Sequence, residues 1–138
     1  MPHRASTFRP VPIATGENEY TRWGFKEMFV KGGVDVAMPD MARTGGISEM
    51  KKIWAVADAF GVVMSPHNYS SGICSAATLQ LLAALPNAGP LEWDTVGSSI
   101  VPELFVEPPV EKDGQVQVPQ LPGLGVQLTD EVRAKYAP

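Results

Sequence analysis

Four short apolar runs, each closing on an ionisable residue, recur along the first two-thirds of the chain at a nearly constant interval. They are VPIATGE ending at Glu17, VDVAMPD at Asp40, VVMSPH at His67 and PLE at Glu92, so the terminal residues stand 23, 27 and 25 positions apart. An interval of that size holds one strand, one helix and two short turns, and little else. The residues between the runs carry helical spacing. Between Thr21 and Lys31, Phe25, Met28 and Phe29 fall at i, i+3 and i+4. Between Ile47 and Phe60 the stripe Met50, Ile53, Trp54, Ala57 repeats that spacing and stops before Gly61, a residue suited to closing a helix. Residues 73–85, ICSAATLQLLAAL, are apolar nearly all round and halt at Pro86, which predicts a buried helix.

Strand, helix, strand at this spacing is the βα unit of a parallel sheet, so the fold class is α/β. The runs are continuously apolar rather than alternating, which predicts strands covered on both faces. In parallel α/β folds ligands gather at the C-terminal ends of the strands, and in (β/α) barrels several strand ends contribute at once. Glu17, Asp40, His67 and Glu92 are therefore the candidate site. The competing expectation for any one of them is structural, since polarity returns wherever a loop begins.

Composition narrows the partners. A chain of 138 residues, 44% apolar and 19% charged, has material for one domain with a real core. Its net charge of −4 gives no basic face for nucleic acid. No stretch approaches the length of a membrane span, and the opening MPHRASTFRP lacks the apolar centre of a secretion signal. Cys74 is the sole cysteine, so no internal disulfide is available and a reducing, cytoplasmic location is expected. Beyond Glu92, residues 102–113 hold three prolines and four acidic residues. The segment DGQVQVPQLPGLGVQL then predicts a turn at Asp113–Gly114 and two short strands broken by Pro122–Gly123. TDEVRAKYAP predicts a terminal helix with Thr129 as N-cap and Asp130 and Glu131 in its first turn.

PIATGE, VDVAMPDMARTGGISE, VVMSPH, the Leu91–Glu92 pair and PGLGVQL, in this order, resemble the C-terminal part of the enolase superfamily, in its mandelate racemase and muconate lactonising group. The resemblance covers roughly residues 10 to 135. It implies the C-terminal half of a (β/α)7β TIM-like barrel, parallel strands five to eight, followed by a C-terminal strap. On that reading residues 1–9 are a tail, 10–100 four βα-type units of a partial barrel, and 101–138 the strap with its short strands and terminal helix. Glu17 corresponds to the third carboxylate ligand of the family's Mg²⁺, Asp40 and His67 to a dyad on strands six and seven, and Glu92 to the acid on strand eight. The family's other two metal carboxylates and its strand-two lysine lie upstream of the matched part, so the chain is expected to be inactive alone.

The implied chemistry begins with removal of the proton beside a substrate carboxylate. Glu17 offers the hard oxygen that Mg²⁺ prefers. Imidazole titrates at about 6.5, close to working pH, so His67 suits a general base. Asp40, accepting from the far ring nitrogen, would fix the tautomer, as in an Asp–His pair of a serine protease. Glu92, held neutral in a poorly solvated site, would donate a hydrogen bond to the enediolate. The implied substrate is a small carboxylate, a sugar acid; the favoured reaction is dehydration, with His67 as base and then acid. Racemisation of a 2-hydroxy acid, which needs an opposing lysine, is the alternative.

Blander expectations stand beside each of these. Asp40 reads equally as a helix cap ahead of Gly45–Gly46, and that glycine pair as a tight turn rather than a phosphate cradle. Cys74 reads as core packing, His3 as an idle terminal residue, and Trp23, Trp54 and Trp93 as packing anchors, with Trp93, directly after Glu92, the one that also reads as a ligand platform. The loop NYSSG after His67 is the local specificity candidate. A non-catalytic reading also exists: four strands of an eight-stranded barrel leave two unpaired edges, which predicts a homo-oligomer or association with an N-terminal half. A nucleotide-binding domain has only scattered glycines for it, because PGLG follows no strand and opens no helix.

Overall fold

Three two-residue strands, Ala14–Thr15 (β1), Val36–Ala37 (β2) and Val63–Met64 (β3), form a parallel sheet in the order β1-β2-β3. The structure is a computed structural model that describes residues 11–86, 88–94 and 100–137. The expected tail over residues 1–9, with His3, lies outside the described residues. The register aligns Ala14 with Val36 and Val63, and Thr15 with Ala37 and Met64. The β2–β3 ladder is short because Pro39 and Pro66 stand opposite one another in that register and neither has an N–H to donate. Both prolines are fully buried, and pairing resumes one residue later at the bridge Asp40↔His67.

The helices follow the predicted spacing. Helix α1 is Thr21–Lys31, the short α2 is Met41–Thr44, α3 is Ile47–Phe60 and α4 is Gly72–Ala84. Phe25 and Phe29, one turn apart on α1, meet Met50, Ile53 and Ala57 of α3, Leu81 of α4, and Ala37 and Met64 of the sheet in one core. Phe29 bridges Phe25 and Phe60, with ring centroids 6.0 and 5.8 Å away. Full burial of such a side chain contributes about 2–3 kcal/mol, so this cluster is the main source of stability. Gly61 closes α3 at φ 68°, and the next amide, Val62 N–H, reaches back to the Ala57 carbonyl. Ser71 caps α4 through its hydroxyl. Cys74 packs, half-buried, against the core.

One expectation about burial is corrected. Among the described residues the strands are not covered on both faces: Ala37 and Met64 face the helices and are buried, whereas Val63 is 41% exposed and both residues of β1 are exposed. Successive strand residues point to opposite faces, and among the described residues the helices pack on one of them. Helix α4 is buried as expected: the successive residues Ala76, Ala77, Thr78 and Leu79 cover nearly its whole circumference, and Ile73, 52% exposed, lies in its first turn.

The segment PLE is not a strand. Contact with β3 occurs earlier, through the bridge Met64↔Ala88 and the bond from Gly89 N–H to the Met64 carbonyl, and Pro90 then has no amide with which to extend the ladder. Gly89 is required there: a Cβ at that position would lie 2.9 Å from Val63 Cγ1 and 3.1 Å from Ser65 Cβ.

Further along, helix α5 at Ile100–Leu104 was not anticipated in the proline-rich stretch. The turn at Asp113–Gly114 is present, both residues at positive φ, joining Glu111–Lys112 (β4) to Gln115–Val116 (β5) as an antiparallel hairpin. The second predicted strand reduces to the bridge Phe105↔Val126, because the glycines flanking Leu124 turn rather than extend. Helix α6, Asp130–Tyr136, begins where expected, with Thr129 Oγ1 accepting from Val132 N–H.

Candidate active site

Asp40 ends the β2 run in an extended conformation and starts α2, and its carboxylate does two jobs. Oδ1 accepts from Ala42 N–H at 2.7 Å and Arg43 N–H at 3.3 Å, capping the helix. Oδ2 lies 2.8 Å from His67 Nδ1 on the neighbouring strand end. Asp40 thus caps α2 with one oxygen and contacts His67 with the other. The residue is 1% exposed, so its charge is met by three donors rather than by water. A carboxylate can only accept, which assigns the proton of a neutral His67 to Nδ1 and leaves a lone pair on Nε2.

His67 is partly exposed, its side chain 20% accessible. The next residue, Asn68, binds the following segment twice. Its backbone N–H donates to Glu92 Oε2 at 2.7 Å, and its Nδ2 donates to the Glu92 carbonyl at 3.0 Å. Ser65 Oγ donates to the Pro90 carbonyl. Asp40, His67 and Glu92 are therefore brought to one edge, the C-terminal ends of adjacent segments. What sequence reasoning missed is that residues 65 and 68 tie the fourth segment in. The signal available was the polar pair flanking Pro66–His67 in SPHN.

Glu17 sits apart. It follows β1 by two residues, in the turn closed by Glu19 N–H to the Gly16 carbonyl, and is exposed. Arg43 of α2 steadies that turn through Asn18 Oδ1 at 2.6 Å. Glu17 thus lies at the same sheet edge but makes no hydrogen bond to protein among the described residues. Among those residues no group of three His, Cys, Asp or Glu is placed to hold a metal ion. The expected Mg²⁺ site is one carboxylate here, and one carboxylate does not fit the cation's demand for several rigidly placed oxygens.

Other singled-out residues have structural roles. Gly45 and Gly46 turn the chain from α2 into α3, with Gly46 N–H bound to the Met41 carbonyl. Trp54 Nε1 donates to the Pro86 carbonyl. Trp23 is exposed beneath the Arg22 guanidinium, which lies 5.4 Å from its ring centre. Glu49 anchors α3 to the start of α1. The Arg22 backbone N–H is the main cause holding its carboxyl below the ordinary value, and the guanidinium adds to it.

Residues 2–132 match the family model for the enolase C-terminal domain-like fold. The chain is 36% identical over 117 residues to the D-xylonate dehydratase of Haloferax volcanii, a match that covers 85% of this chain and 28% of that protein. It is 30% identical over 141 residues to the D-galactarolactone cycloisomerase of Agrobacterium fabrum, covering 96% and 37% respectively. Among solved structures, a mandelate racemase/muconate lactonizing enzyme from Jannaschia superposes with a TM-score of 0.82 at 32% identity, over 92% of this chain and 32% of that one. The chain thus spans about a third of the length of the relatives it matches. No described helix is long and apolar enough to cross a membrane.

Proposed function

Because the chain belongs to the enolase superfamily, in its mandelate racemase and muconate lactonizing group, we propose that it carries the acid–base side of a site that dehydrates a sugar acid. The observation that carries this reading is the Asp40–His67 pair, with its 2.8 Å hydrogen bond, beside Glu92 at one sheet edge. His67 Nε2 removes the proton next to the substrate carboxylate, and Asp40 stabilises the imidazolium that results. The same imidazolium then protonates the hydroxyl leaving from the next carbon, so the step expels one water and leaves an enol that becomes a ketone. Glu92 donates a hydrogen bond to the oxygen on which charge develops.

One histidine suffices for this sequence of transfers, whereas racemisation needs a second base on the opposite face. The relatives named for dehydration and cycloisomerisation both act on sugar-acid compounds, which supports a sugar-acid substrate here. Glu17 would supply one ligand for Mg²⁺, whose role when bound is to stabilise negative charge on the substrate carboxylate. The rest of that site, and the half-barrel arrangement of strands five to eight with a strap beyond residue 101, belong to the proposal, as does pairing with an N-terminal half.

The test is incubation of the chain with Mg²⁺ and a panel of sugar acids, first alone and then with the N-terminal part of a relative. The expected result is no turnover alone, turnover with the companion, and loss of that turnover in His67→Asn. Turnover by the chain alone, or turnover indifferent to His67→Asn, overturns the reading.

A further inference from the structure

We propose that Asn68 is a positioning residue that clamps Glu92 by one carboxylate oxygen and turns the other, Oε1, which has no hydrogen-bond partner among the described residues, toward a substrate. The inference rests on the reading of Glu92 as the hydrogen-bond donor of the site. The backbone ladder cannot orient Glu92, because pairing with β3 ends at Ala88 and Gly89 and Pro90 interrupts it. Side chains take over from there. Ser65 holds the Pro90 carbonyl, Asn68 Nδ2 holds the Glu92 carbonyl at 3.0 Å, and Asn68 N–H holds Oε2 at 2.7 Å.

One residue thus fixes both ends of Glu92, its backbone and its head group. With Oε2 presenting a lone pair to an N–H, the proton of a neutral Glu92 belongs on Oε1. Asn68 also follows His67 directly, so the peptide that orients the acid is continuous with the residue whose ring Asp40 orients. Packing alone does not account for an asparagine here. It is 3% exposed, and its Oδ1 is buried without a hydrogen-bond partner among the described residues, which is destabilising in itself.

The experiment is an amide NMR titration of the full chain between about pH 3 and 8, a range that spans carboxyl titration. The Asn68 amide proton is expected to shift with a single carboxyl step that disappears in Glu92→Gln and survives in Asp40→Asn. In Asn68→Ala, which removes the Nδ2 donor and adds no ionisable group, the step should shrink by half or more. The Glu92 side-chain couplings should also average toward free rotation while the Gly89 amide stays protected on the Met64 carbonyl, a protection that loss of the whole segment would remove. Absence of the step in the unmodified chain, its persistence in Glu92→Gln, or an unchanged Glu92 in a folded Asn68→Ala overturns the clamp. If Asn68→Ala does not fold, the comparison with Glu92→Gln decides, together with slow exchange of the Asn68 side-chain amide protons in the unmodified chain. Lack of turnover on any sugar acid with the clamp present counts against the proposed reaction and not against Asn68.

Discussion

Asp40 and His67 are joined twice, by the 2.8 Å contact between Oδ2 and Nδ1 and by a parallel backbone bridge between the same two residues. The bridge lies one residue beyond the opposed Pro39 and Pro66, where the ladder resumes. Backbone pairing therefore sets the distance between the two side chains, and the helix cap sets the angle of the carboxylate. An ion pair between flexible surface chains has neither constraint.

Substitutions at Asp40 should separate these two roles. Asn retains an oxygen for the cap but turns its amide group toward Nδ1, which forces the ring proton to Nε2. Nitrogen NMR of His67 should report that tautomer change while the melting temperature moves little. Activity of the complemented enzyme should fall by about 10⁴, the scale known for the equivalent change in an Asp–His pair. Asp40→Ala should in addition cost about 0.5–2 kcal/mol from the lost cap, visible in urea unfolding.

Gly89→Ala should push the Glu92 segment off β3. The new Cβ would meet Val63 Cγ1, Ser65 Cβ and, at 3.3 Å, the Met64 carbonyl oxygen, two of which belong to a strand that cannot yield without disturbing the core. Overpacking of this kind costs about 1–3 kcal/mol, measurable by urea unfolding. The Ser65–Pro90 and Asn68–Glu92 bonds should weaken together, since all lie on the displaced face.

Helices α1, α3 and α4 and the parallel order of the strands were legible because they rest on local signals: apolar periodicity, a closing glycine, a halting proline. The pairing of Asp40 with His67 was legible as an interval, one βα unit of 27 residues. What could not be read depends on partners distant in sequence. Nothing in PLE announces that Pro90 and Gly89 replace a ladder, and nothing in PHN announces a bond across 24 residues to Glu92. Coverage of the strands was misread for a related reason, since apolarity states what a face tolerates and not what is there to cover it. Glu17 follows the end of β1 as its place in the run suggests, but a spacing rule gives no count of the ligands beside it.

The link between α1 and α3 should make stability fall in acid. Glu49 takes the Arg22 backbone N–H and its guanidinium, both at 2.9 Å, and its carboxyl is held below the ordinary value chiefly by the first of these. A depressed carboxyl contributes stability that is fully present above the unfolded value, about 4.3, and is lost as pH falls through the folded value. Glu49→Gln should therefore flatten the melting temperature against pH between about 5 and 3, leaving the neutral-pH curve shifted but parallel. A variant profile as steep as the parent's would assign the acid lability to other carboxyls.

Mg²⁺ should stabilise the isolated chain scarcely at all. Ligand stabilisation follows RT ln(1 + [L]/Kd), so at about 1 mM Mg²⁺ and a Kd of about 1 mM it amounts to only ~0.4 kcal/mol. For a domain of this size that moves the melting temperature by about 1–2 °C. An exposed Glu17, without a protein hydrogen bond and outside any metal-holding group of three among the described residues, gives no reason for tighter binding. Melting in Mg²⁺ and in chelator should agree within that margin, and Glu17→Gln should change neither curve. A rise of about 5 °C or more, abolished by Glu17→Gln, would mean that a second oxygen ligand joins Glu17 in solution. The cation site would then be native to this chain rather than completed by a companion.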